Sequence, residues 1–265
     1  NDMKSINKTL CLLPMIAVLA SCSCGRSITL EEASAKADEI ISYRNSTEVL
    51  MPNTYTMTGV VETITDGVKT VEEHTFILSN DLDSKTGERY VYICNSSQHG
   101  SDRKVVSEQW MYRDNDKTIT AKNADGKKTY FTEGFSSLAF STQVYMAEAI
   151  YVDVWELVCA ATVLDTAKSK NIVEGATYGF KSDEKIPGDL SLVDYTYTKN
   201  DTTTKINAHI ELDICVSYEE VANKTNGNSG KTTYKLESYK AKTDYKPNLK
   251  EYTENSGLFG AILER

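Results

Sequence analysis

The sequence predicts an α+β fold in which a strongly curved, half-barrel-like antiparallel sheet packs against helices. Three observations lead there. Two stretches, Asn53 to Thr132 and Thr177 to Lys242, are rich in Thr, Val and Tyr and alternate apolar with polar residues at period 2. The joints within them, Asp66-Gly67, Asp114-Asn115-Asp116, Asn123-Ala124-Asp125-Gly126 and Lys199-Asn200-Asp201, carry the chemistry of tight antiparallel reversals. Between them lies the most apolar internal segment, Ser136 to Lys170, a natural cover for the dry face of a one-sided sheet.

The chain opens with a different signal. Lys4 and Lys8 form a basic n-region, Leu10 to Ala20 a short apolar run, and Leu19-Ala20-Ser21-Cys22 reads as a bacterial lipobox. An apolar run of this length is well short of the roughly 20 residues a spanning helix needs, so it reads as a signal and not an anchor. Cleavage before Cys22 leaves its thiol to take up a diacylglyceryl group, whose chains hold a protein to a membrane by about 0.8 kcal/mol per buried methylene. The alternative is an ordinary secretory signal with an incidental Cys22. Asn1-Asp2 precede Met3 and read as cloning residues. The expected organisation is a signal peptide over 1–21, a lipid tether over 22–27, one α+β domain over 28–246 and a C-terminal tail over 247–265.

After the tether, Ser27 or Thr29 caps a helix through Leu30 to Tyr43, where Leu30, Ala33, Ala37, Ile40 and Ile41 recur at helical spacing and Glu31 and Glu32 suit the positive end of the dipole. Six strands follow: Tyr55 to Thr65, Val68 to Leu78, Arg89 to Asn95, Val105 to Arg113, Thr118 to Lys122 and Lys128 to Thr132. Ser136 to Lys170 reads as one long helix or two short ones. A strand at Ile150 to Val154 competes, and a transmembrane helix is a third reading. Acids near the middle of that segment would each cost about 2.5 to 3.5 kcal/mol in a bilayer, which argues against a span. Strands resume at Thr177 to Lys181, Leu190 to Lys199, Lys205 to Ser217 and Thr232 to Lys242. The third has Ile206, Ala208, Ile210, Leu212, Ile214 and Val216 on one face, and Asn207, His209, Glu211, Asp213 and Cys215 on the other.

Without the signal, 27 Lys and Arg (29 less Lys4 and Lys8) face 37 Asp and Glu (38 less Asp2). No basic stripe is present for phosphates, so nucleic acid is not an expected partner. Of six cysteines, Cys11 leaves with the signal and Cys22 and Cys24 lie in the tether. Cys94, Cys159 and Cys215 remain, expected as buried thiols acting as small hydrophobes, with one disulfide among them as the alternative. His74, His99 and His209 have no Cys, His or carboxylate at a recognised metal spacing, so no metal or other cofactor is expected. Thr225 to Thr232 ends like a phosphate-binding loop but lacks its first glycine and runs into a strand. Asp81, Asp83 and Glu88 offer oxygens around Gly87 without the spacing of a calcium loop. Among 16 tyrosines, most lie on strands, as β-propensity favours. No catalytic motif is recognised, so no catalytic residue is expected.

The order of lipobox at Leu19 to Cys22, amphipathic helix, antiparallel meander, apolar helical insertion and further long strands resembles the LolA and LppX type of lipid-carrier lipoprotein. That resemblance implies a curved sheet around helices with acyl chains in the hollow between. It covers Ser27 to about Tyr245 in element order, and of its residues only Cys22 carries over, as the lipid attachment. The function expected is non-enzymatic binding of a lipid or other apolar ligand outside the cytoplasmic membrane, with Tyr145, Val152, Trp155 and Val158 as candidate contacts and the membrane as partner through Cys22. Two alternatives stay open. One is a surface protein-interaction or structural lipoprotein with a solid core and an exposed apolar patch; the other is an envelope enzyme without a recognisable motif.

Overall fold

The computed structural model describes residues 25–46, 54–80, 89–212, 214–238 and 246–255. The signal peptide, the lipobox with Cys22 and the loop acids Asp81, Asp83 and Glu88 lie outside the described residues. The chain forms strands β1 (Arg26–Ile28), β2 (Thr54–Thr65), β3 (Val68–Asn80), β4 (Arg89–His99), β5 (Val105–Asp114), β6 (Lys117–Ala124) and β7 (Lys127–Gly134), then β8 (Thr177–Ser182), β9 (Asp189–Lys199), β10 (Thr202–Glu211), β11 (Ile214–Lys224), β12 (Ser229–Ser238) and β13 (Thr253–Glu254). The helices are α1 (Leu30–Ser46), α2 (Ser137–Tyr151) and α3 (Asp153–Ala167).

The turns form for the reasons their residues suggest. Asp66 and Gly67, Asn200 and Asp201, and Asp125 and Gly126 all have positive φ, the conformation that tight primed hairpins require and that Gly, Asn and Asp tolerate. Helix α1 starts with a capping box. The Glu32 N–H donates to Thr29 Oγ1 (3.2 Å) and the Thr29 N–H donates to Glu32 Oε2 (2.7 Å). The apolar insertion resolves into two helices that break at the buried Val152. The Ser136 hydroxyl caps the first by accepting from the Ala139 N–H.

The half-barrel expectation is overturned. Among the described residues all strands join one 13-stranded sheet, ordered β1-β8-β9-β10-β11-β12-β2-β3-β4-β5-β6-β7-β13, which is neither closed nor strongly curled. It is mixed, because β13 runs parallel to β7 while the other pairs are antiparallel. Two features explain the flatter form. The meanders β2–β7 and β8–β12 lie side by side, joined by β12 against β2 with Tyr234 opposite Gly59, so the sheet grows sideways instead of wrapping. The sheet is also apolar on both faces over β3 to β6. One face contributes Phe76, Leu78, Val91, Ile93 and Met111 to the core under the helices. The other packs Ile77, Tyr90, Trp110, Tyr112 and Ile119 against Leu249 and Tyr252 of the C-terminal segment. A sheet covered on both sides has no single apolar face to curl around.

The expected strand Lys205 to Ser217 is also corrected. The chain reverses at Leu212, whose φ is +52°, so β10 and β11 form a hairpin, with Ile210 opposite Cys215 and Glu211 opposite Ile214. Cys215 therefore turns into the core. Strands β1 and β13 were not anticipated, and they extend the sheet past the expected domain limits at both ends.

Candidate functional site

The four expected ligand contacts do not share one surface. Val152 is fully buried at the α2–α3 break, and Trp155 is half-buried. Its ring stacks with Tyr234 (centroids 6.2 Å apart) and His74 (6.4 Å). Tyr145 and Val158 instead face outward, 69% and 40% exposed.

They have company there. Leu138, Met146, Ile150, Val154 and Leu157 are exposed on the same two helices. Helices α2 and α3 contain no Lys or Arg, and Glu148 and Glu156 turn inward, Glu148 accepting from the Tyr55 hydroxyl (2.6 Å) and Glu156 from Tyr234 (3.0 Å) and the Cys215 N–H (2.6 Å). Asp153 alone among their acids is exposed, the others being half-buried. A helix pair that is apolar on its inner face and again on its outer one leaves a patch of the kind that marks an interaction surface. Among the described residues no helix is long and apolar enough to cross a membrane.

Beneath the helices, carboxylates and rings interleave. Burial pushes the Glu148 carboxyl above the usual carboxylate range and holds the His74 imidazole below its usual value, and the Tyr55 phenol is pushed up by burial and then by Glu148. Gly59 makes room for this packing. A Cβ there would lie 2.0 Å from Cε1 of the His74 ring.

Cys159 of α3 and Cys215 of β11 form a disulfide (Cα–Cα 5.9 Å), correcting the expectation of free thiols at those two positions; Cys94 is not part of a disulfide. The pairing depends on the reversal at Leu212, which sequence reading placed inside a strand.

A second group lies where the β8–β9 and β10–β11 turns meet. Strands β9 and β10 pair with Asp189 opposite Glu211 and Ser191 opposite His209. Their register shifts between Ile206 and Ala208, opposite Val193 and Asp194, and Asp194 has φ +54°. This bulge lets Tyr195 on one side and Leu192 and Leu190 on the other all reach the core, and sends Asp189 and Ser191 to the face of His209 and Glu211. His209 Nε2 is 2.5 Å from Asp189 Oδ1 and 3.9 Å from Glu211 Oε1. The Asp183 N–H donates to Asp189 Oδ2 (2.6 Å). Asp189 is 1% exposed and Ser191 3%, and the Ser191 hydroxyl has no hydrogen-bond partner among the described residues. Serine, histidine and aspartate here do not make a nucleophilic triad, because no hydrogen bond joins Ser191 to His209. Sequence reading passed over the group. Its only local trace is His209 and Glu211 two apart on a strand, and Asp189 joins them through pairing.

No protein-family model matches the chain, and no curated protein matches its sequence.

Proposed function

We propose that this is a lipid-tethered, non-enzymatic protein of the bacterial cell envelope that binds lipid through the exposed apolar face of α2 and α3. That face is the observation that carries the reading. Seven large apolar side chains, Leu138, Tyr145, Met146, Ile150, Val154, Leu157 and Val158, stand in water on two neighbouring helices that contain no basic residue. The occupant that fits is the surface of the membrane holding Cys22. Gly25 is pressed so closely on β8 that a Cβ would lie 2.5 Å from the Ser182 carbonyl carbon. At about 3.3–3.6 Å per residue, the chain between Cys22 and that fixed point spans at most roughly 10 Å. The body therefore has little room to leave the bilayer, and an apolar face gains by lying on it. The Cys159–Cys215 disulfide supports the extracytoplasmic part, since such bonds persist in oxidising compartments and are rare in the cytosol. The outer face is preferred to an interior hollow because two of the four expected contacts, Tyr145 and Val158, face outward.

The test is flotation of the mature chain, with Cys22→Ser to remove the acyl group, on zwitterionic phospholipid vesicles. Binding that is lost in an Ile150→Asp, Leu157→Asp double variant supports the reading. The two side chains together contribute about 1.5–3 kcal/mol at half of their full burial energy. A chain that ignores vesicles and instead dimerises in solution through the same two residues overturns it in favour of self-association.

A further inference from the structure

We propose that Asp189, His209 and Glu211 bind one divalent first-row transition-metal ion, with Ser191 beside it, and that the ion staples the β8–β9 turn to the β10–β11 hairpin. The donor atoms of the three residues all lie within 4.8 Å of one another. Two atoms that share a tetrahedral or octahedral ion at about 2.0–2.2 Å sit roughly 3 to 3.6 Å apart. The His209–Glu211 distance of 3.9 Å closes slightly on binding, and the His209–Asp189 hydrogen bond of 2.5 Å opens by about as much.

The surroundings suit a cation. Asp183 fixes Asp189 through Oδ2 and leaves Oδ1 turned to the imidazole, the backing by a second group that metal ligands usually have. Ser191 supplies a separate indication. Its buried hydroxyl shares the face, sits directly opposite His209 and has no partner among the described residues, so an ion or its bound water would satisfy it. Two carboxylates, one of them buried, carry a charge that a divalent ion neutralises, with Lys181, opposite Ser191 on β8, as the neighbouring cation. One imidazole with carboxylates favours zinc, manganese or iron(II) over calcium and magnesium, which prefer all-oxygen sets. Leu212, held at positive φ immediately after Glu211, is the strained position the staple would secure, and its N–H already donates to the Gly188 carbonyl (3.1 Å).

The experiment is calorimetric titration of Zn²⁺ into the tag-free, chelator-stripped chain, beside His209→Gln, Glu211→Gln and the surface control His99→Gln. One ion per chain is expected, with affinity reduced at least about tenfold in the first two variants and unchanged in the third. Should a variant fail to fold, ring resonances of the unsubstituted chain decide. The His209 ring signals shift within the first equivalent of Zn²⁺, before those of His99. Absence of saturable binding, equal binding by His209→Gln, or His99 responding first overturns the proposal.

Discussion

Glu148 and His74 set how stability depends on pH, and in opposite directions. The folded Glu148 is raised from 4.5 by burial, so the folded state holds its proton more tightly than the unfolded one, and stability falls as pH climbs from 4.5 through the folded value. His74 is lowered from 6.5 by burial, so the unfolded state takes the proton more readily and stability falls as pH drops from 6.5 through the folded value. Urea unfolding between pH 4 and 8 should therefore show Glu148→Gln removing the alkaline-side loss while keeping an acceptor for Tyr55. Gly59→Ala should destabilise by about 1–3 kcal/mol, because the His74 ring beneath Trp155 must leave its place. At this scale the sequence was uneven in what it disclosed. Trp155 could be recognised as central, yet its ring partners His74 and Tyr234 come from β3 and β12, and no local pattern connects them.

Among the elements, periodicity located the strands of the first meander and the helical character of the insertion well, because each signal is local, while the break at Val152 into two helices stayed one of two readings. It failed where a single residue changes the parity of a strand. Leu212 divides one apparent strand into a hairpin, and the Asp194 bulge reverses which side of β9 faces the core. Leucine at positive φ is rare enough that no turn rule points to it. The disulfide and the His-carboxylate group both follow from these two events, so both were hidden. The Cys159–Cys215 bond ties α3 to β11 across a sequence separation of 56 residues. Replacing both cysteines with serine should lower unfolding free energy by about 2–4 kcal/mol, measured in denaturant under oxidising conditions.

For the molecule as a whole, alternation and turn chemistry made a large antiparallel sheet legible, but not its curvature. That depends on which residues cover the second face, and the cover of Ile77, Trp110 and Tyr112 comes from Leu249 and Tyr252, far away in sequence. Both margins of the sheet are closed by the shortest strands it has, β1 with three residues and β13 with two, each supplied from near an end of the described chain. Removing residues from 246 onward should bare the β7 edge together with the apolar patch on β4–β6, and light scattering should then report concentration-dependent assembly. For a protein tethered as proposed, this matters most on the membrane plane, where copies confined to two dimensions meet edge to edge far more often than in free solution. Blunt margins let such copies crowd into a dense carpet without zipping into fibres, and a protease that trims β13 would convert a crowded, well-behaved layer into a seeded one.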